Sequence, residues 1–299
     1  MKSDYSILVG NDVNNINNTQ SWEELLKTII KHLDINNLID TNNLRSKPFP
    51  FLYEEIYLKS LKKNNASEIE LKEFIAQQTK EINHNAIHER IMSLEINDIM
   101  TTNYEYALQR SKGFEYDKLE NFGFKKEKKY NIYRHNVVNK SRIWHIHGEC
   151  NTAESITLGY EHYCGQLQRM RQYVVSGKDL DNEKIGGGKA RKNKLGIDEY
   201  SWLNLFFTKD IHIVGLSLDT VEIDLWWLLT YRARQVLQQN GEQETINNSI
   251  KYYYPSSYEV KSKEKLELLK ANQVETISVT AKSKEEYYNK IIDIIERND

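Results

Sequence analysis

The sequence predicts an α/β fold: a doubly wound, mostly parallel sheet covered by helices on both faces and carrying helical insertions. Three observations point there. Short apolar runs alternate with stretches of helical periodicity along most of the chain. The strand-like runs end at Gly10, Asn103 and Gly215, with a fourth at His147, and in such sheets strand ends converge on one crevice. The 299 residues suffice for one large domain of this kind, and no internal repeat divides them.

The elements follow in order. Residues 6–9 form a short apolar run that stops at Gly10, and a polar loop follows through Gln20. Ser21 caps the next helix, with Glu24 at capping-box spacing, and Leu25, Leu26, Ile29, Ile30 and Leu33 give that helix one apolar face. Residues 35–95 read as a helical insertion, punctuated by Pro48 and Pro50, with helical periodicity over 52–61 and 69–82. A second strand near 98–103 leads into a helix over 104–110. Strands are expected around 130–135 and 143–146, then a helix over 161–173. Residues 176–194 are polar, contain Gly186, Gly187 and Gly188, and read as a mobile loop, so that 151–200 forms a helix-plus-loop insertion. A buried strand at 211–214 precedes a helix over 223–236, two further strands at 251–254 and 274–279, and an amphipathic helix over 283–295. Trp226, Trp227, Tyr231, Arg232 and Arg234 on the 223–236 helix form either an interface stripe or, more plainly, core tryptophans beside a solvated arginine pair.

Composition excludes several classes. A net charge of -2 gives no general reason to expect nucleic acid or an anionic membrane as partner. No apolar run reaches the ~20 residues a membrane helix needs. The first residues lack a signal-peptide apolar region, so a cytoplasmic protein is expected. Cys150 and Cys164 are too few for a disulfide framework or a four-thiolate zinc site.

Each strand end has a plain and a chemical explanation. Gly10 permits a sharp turn that brings backbone N–H groups to a phosphate, or simply a βα turn. Asn103, after Thr101 and Thr102, either hydrogen-bonds a sugar hydroxyl or caps a helix. Gly215, leading into Ser217, presents small residues to a ligand or makes a tight turn. His145 and His147 alternate in a strand and so share a face; His145 reads as structural and His147, against Gly148 at the strand end, as functional. Their surroundings match no strong metal-ligand spacing, and no metal is expected.

The order of these pieces resembles the successive motifs of the sirtuin-like superfamily. They are Gly10-Asn11-Asp12-Val13-Asn14, Thr101-Thr102-Asn103-Tyr104-Glu105, His147-Gly148 and Gly215-Leu216-Ser217-Leu218. The whole chain is similar to bacterial sirtuin-like NADase domains of anti-phage defence systems. Further likeness lies in Ser21-Trp22-Glu23-Glu24, Gly159-Tyr160-Glu161-His162 and Glu222-Ile223-Asp224-Leu225-Trp226-Trp227. The resemblance implies a Rossmann-like sheet across 1–299, lacking the zinc module of deacylating sirtuins because that module needs four cysteines.

It also implies roles. Asn103 contacts the nicotinamide ribose and positions a water, and His147 is the base. Gly10, Asn11, Asp12 and Asn14 cradle the pyrophosphate, Gly215 and Ser217 meet the adenosine side, and Thr102 and Gly148 join the binding set. The activity implied is hydrolysis of NAD to nicotinamide and ADP-ribose, gated by a protein partner or a homo-oligomer. Two positions depart from the pattern: Asp12 stands where a second glycine is usual, and Glu105 replaces a common aspartate. The alternative is a subunit that senses NAD or an ADP-ribose derivative without turnover.

Overall fold

In the computed structural model the described residues are 5–16, 22–115, 119, 121–122, 129–176, 200–238 and 246–297. Eight strands make one sheet: β1 (Tyr5–Val9), β2 (Asp98–Thr101), β3 (Asn121–Phe122), β4 (His135–Val138), β5 (Ser141–His145), β6 (Asp210–Val214), β7 (Ile250–Pro255) and β8 (Glu275–Val279). Their order is β3-β4-β5-β2-β1-β6-β7-β8. β5, β2, β1, β6, β7 and β8 are parallel, while β3 and β4 add an antiparallel edge. Numbered along the chain, the parallel strands lie in the order 3-2-1-4-5-6, the Rossmann arrangement, whose order reverses between β1 and β6.

Burial on both faces explains the apolar strands. All five residues of β1 are buried. Because successive side chains point to opposite faces, Ile7 and Val9 join one core and Leu8 the other. The Ile7 side is covered by α4 (Ala86–Ser93) and α10 (Lys284–Arg297), through Ile87, Ile91, Ile291 and Ile295. The Leu8 side is covered by α6 (Tyr160–Ser176), α7 (Trp202–Thr208), α8 (Ile223–Leu237) and α9 (Lys263–Ala271), through Met170, Phe206, Leu228 and Leu269. A third core unites α1 (Trp22–His32), α2 (Phe49–Asn64) and α3 (Glu68–Lys80) with Tyr104, Tyr106 and Ile156. This third core sits on the loops that follow β2 and β5, so the helices between β1 and β2 form a wall beside the crevice.

Several expectations are corrected. Residues 104–106 are not helical: Tyr106 has φ -111 and ψ 38, and α5 (Ala107–Arg110) is a single turn whose first N–H is taken by the Glu105 carboxylate at 2.9 Å. The strand expected at 130–135 begins only at His135, because Tyr130 is left-handed at φ 55 and Asn131 Oδ1 accepts the N–H groups of Tyr133 and Arg134 in a side-chain-closed turn. Arg232 is buried, not solvated, and its guanidinium donates to Asn248 O and Oδ1. Trp226, Trp227 and Tyr231 are half-buried against the Leu8-side core. α9 occupies a stretch for which the sequence analysis predicts no element. At α10, Ser283 Oγ accepts the Glu286 N–H at 3.1 Å as expected, while the Glu286 carboxylate reaches back to the Lys282 N–H. The Ser21 cap and most of the 176–194 loop lie outside the described residues. Among the described residues no helix is long and apolar enough to cross a membrane.

Candidate functional site

The reversal of strand order brings the loops after β1 and β6 into contact. Gly10 N–H donates to Val214 O at 2.9 Å and Asp12 N–H to Gly215 O at 3.0 Å. A Cβ on Gly10 would lie 2.4 Å from Gly215 O, and Gly215 itself is left-handed at φ 69, with Val13 Cγ2 2.6 Å from the place of its Cβ. The two glycines are there because two backbones touch. Gly148, at φ 97, makes the turn after β5, and a Cβ on it would meet Ser155 O at 2.3 Å.

Above this crossing lies a cavity of about 250 Å³. Six of the sequence-designated residues stand in its wall: Asn11, Asp12, Thr102, His147, Gly215 and Ser217. Asn103 is not among them. It opens with Glu105 into an adjoining cavity of about 220 Å³. Asn11, Trp22 and Tyr104 line both spaces, and the rings of Trp22 and Tyr104 meet edge-on at 5.6 Å. β2 and β5 are neighbours with Thr101 opposite His145, so Asn103 and His147 follow adjacent strand ends, yet an aromatic partition stands between their cavities.

Asn103 is held through its backbone. Its N–H donates to Thr101 Oγ1 at 3.0 Å and its carbonyl accepts from His145 Nδ1 at 2.7 Å. The Gln109 amide donates to the other ring nitrogen of His145, assigning Nδ1 as the donor to Asn103. His145 thus supports the backbone of Asn103 and is structural. The side-chain Oδ1 of Asn103 is buried and has no hydrogen-bond partner. A buried polar atom without a partner costs free energy, about 1–3 kcal/mol, which a ligand hydroxyl or water in that cavity recovers.

His147 is 2% exposed, and its Nε2 lies 2.9 Å from Asp224 Oδ2. Asp224 is fully buried in the first turn of α8, where the helix N-terminus favours a carboxylate. Burial pulls the His147 pKa down, but the charge and hydrogen bond of Asp224, with Glu222 nearby, outweigh it and hold the imidazole above its ordinary range. Glu222, in the same cavity wall, is pushed up to about 8 by burial; His147 pulls it down and Asp224 repels its charge. Tyr163 packs edge-on against the imidazole at 5.4 Å. With Nε2 committed to Asp224, Nδ1 is the ring nitrogen left to exchange a proton with a ligand.

Two designated residues of the β1 loop turn their side chains to other partners. Asn14 is buried below the crevice: its amide donates to Glu105 Oε1 at 2.7 Å and its Oδ1 meets His88 Nε2 at 2.9 Å. It ties the β1 loop to α4 and to the β2 loop and does not line either cavity. Asp12 turns its carboxylate to α10, pairing with Lys284 at 2.6 Å and accepting from Tyr288 OH at 2.5 Å, so its charge is countered. Among the described residues no group of three or more His, Cys, Asp or Glu is placed to hold a metal ion.

Sequence reasoning gave no role to Asp224, Glu222, Trp22 or Tyr104, although all four sit in the quoted motifs. Asp224 carried one available signal: a carboxylate set between Ile223 and Leu225 on an otherwise apolar helix start needs a partner. Fold and crevice together define a Rossmann-like α/β protein with a polar crevice at the strand-order reversal. The sequence matches no model of a known protein family and no curated protein.

Proposed function

We propose that this protein is a sirtuin-like NAD glycohydrolase that releases nicotinamide and leaves ADP-ribose, a gated effector of the anti-phage defence type. The observation that carries the reading is a buried His147–Asp224 pair together with an Asn103 amide whose oxygen lacks a partner, His147 and Asn103 following the carboxyl ends of adjacent parallel strands. In this mechanism the C1′–N bond of the nicotinamide ribose breaks, and its electron pair leaves with nicotinamide. Asn103 Oδ1 orients the ribose or the attacking water without adding charge. As the water oxygen bonds to C1′, His147 Nδ1 accepts the proton, and Asp224 stabilises the imidazolium that forms. Asp12, neutralised by Lys284, sets no uncompensated negative charge against the pyrophosphate.

The aromatic partition favours a second reading, a subunit that senses NAD or an ADP-ribose derivative, because Asn103 and His147 open into separate spaces. On the enzyme reading, Trp22 and Tyr104 shift when substrate binds or a regulatory partner docks. Chromatography of NAD incubated with the wild type and with His147→Ala, each with the products of the neighbouring genes, distinguishes the two. Nicotinamide from the wild type alone supports hydrolysis; retained, uncleaved nucleotide supports sensing.

A further inference from the structure

A second, larger cavity of about 500 Å³ opens at the carboxyl ends of β6, β7 and β8. It shares Asp12, Gly215, Leu216 and Ser217 with the His147 cavity, so the two adjoin at the strand-order reversal. Tyrosines dominate its wall, Tyr252 and Tyr254 from β7 and Tyr287 and Tyr288 from α10 among them, and offer flat apolar faces to a planar base.

Its charges are lopsided. Lys265, Lys282 and Lys284 line it, and Asp12 is the one carboxylate among the described residues of its wall. Asp12 and Lys284 neutralise each other at 2.6 Å. Lys265 spends one hydrogen bond on Ser217 O at 2.7 Å and lies 5.8 Å from the centre of the Tyr252 ring. The exposed Lys282 makes no side-chain ion pair among the described residues. Two ammonium groups are therefore left uncompensated at the rim. A dinucleotide site built for an unmodified adenosine ribose presents a carboxylate to the 2′-hydroxyl, whereas one built for a 2′-phosphate presents cations. With no carboxylate to spare and two lysines left without an ion pair in it, this wall is of the second kind.

We infer that this cavity takes the adenosine end of a dinucleotide bearing a 2′-phosphate, with Lys265 and Lys282 on that phosphate, so that the preferred substrate is NADP and NAD is the poorer one. The inference rests on the proposed dinucleotide reading and names its substrate more closely.

Titration calorimetry with ADP-ribose and with 2′-phospho-ADP-ribose, which cannot be cleaved at the missing nicotinamide bond, tests it apart from catalysis. The expected result is about tenfold or more tighter binding of the phosphorylated ligand, the worth of one charge-assisted contact. That preference shrinks with added salt and falls in Lys282→Gln and Lys265→Gln, while ADP-ribose binds Lys282→Gln as it binds the wild type. Circular dichroism of each variant shows that it is folded. Equal or tighter binding of ADP-ribose overturns the phosphate assignment and leaves the dinucleotide reading standing. Failure of both ligands to bind overturns the two together.

Discussion

His147 Nε2 and Asp224 Oδ2 lie 2.9 Å apart, both side chains closed off from solvent, at the meeting of β5's strand end and the first turn of α8. The carboxylate fixes which ring nitrogen carries the proton, and so which one is free to act as base. Asp224→Asn keeps the shape and removes the charge. Its amide donates to Nε2, moves the imidazole proton to Nδ1 and blocks the base. The expected effect is a fall in kcat of about 10²–10⁴-fold with KM nearly unchanged. Nitrogen-15 NMR of the His147 ring reports the tautomer directly. A variant that keeps the wild-type tautomer and rate contradicts the assignment.

Gly215→Ala places a methyl group in a left-handed backbone and against Val13. Gly10→Ala drives a Cβ into Gly215 O. Each is expected to cost about 1–3 kcal/mol or more in urea unfolding, Gly10→Ala because the backbone it meets gives way poorly and Gly215→Ala because an L side chain is strained at positive φ. Gly113→Ala is the matched control: it too has positive φ, at 78, but its Cβ meets nothing within 4 Å. Its loss should be the smallest of the three.

That Gly10, Asn103, His147 and Gly215 follow strand ends was legible in the sequence because a strand end announces itself locally, by an apolar run stopping at a small or polar residue. The helical wall was legible by periodicity. What approaches those strand ends from other elements was not. Asp224 lies 77 residues beyond His147, and nothing local marks the pairing. Tyr104 reads as the start of a helix, yet Glu105 caps the turn at Ala107 and frees the Tyr104 ring to stand against Trp22 as a partition. Asn14 reads as a phosphate ligand, but the imidazole of His88 and the carboxylate of Glu105 claim both ends of its amide.

That claim on Asn14 makes it a test of its own. Asn14→Ala strips a partner from the buried Glu105 and from His88 at once. Urea unfolding is expected to show a loss of about 2–4 kcal/mol, since unsatisfied buried groups cost more than the bonds removed. A loss under about 0.5 kcal/mol, ordinary for a surface change, contradicts the structural role.

Stability should peak near pH 6.5, the ordinary value of His147, His88 and His212. Folded His147 keeps its proton to higher pH than the unfolded chain does, so its contribution is full below that value and is lost as pH rises through the folded pKa. Glu222 adds to the loss: the unfolded carboxyl ionises near 4.5 and the folded one near 8, so stability falls with rising pH across that window. On the acid side, burial holds folded His88 and His212 down to about 4, and the unfolded chain gains their protons first, so stability falls as pH drops from 6.5 toward 4. Thermal melts from about pH 4.5 to 8.5 trace both limbs, and Glu222→Gln flattens the alkaline one. A Tm that climbs steadily from pH 6.5 to 8 contradicts the raised pKa of Glu222.

On the proposed reading, His147 and Asn103 act on one glycosidic bond despite the Trp22–Tyr104 partition between them. The most direct measurement is chromatographic quantification of free nicotinamide after incubating NAD with the wild type, His147→Ala or Asn103→Ala, with the products of the neighbouring genes present. Nicotinamide from the wild type, and background release from both folded variants, is the expected result. Nicotinamide released equally by all three, or intact NAD recovered from every sample, contradicts it.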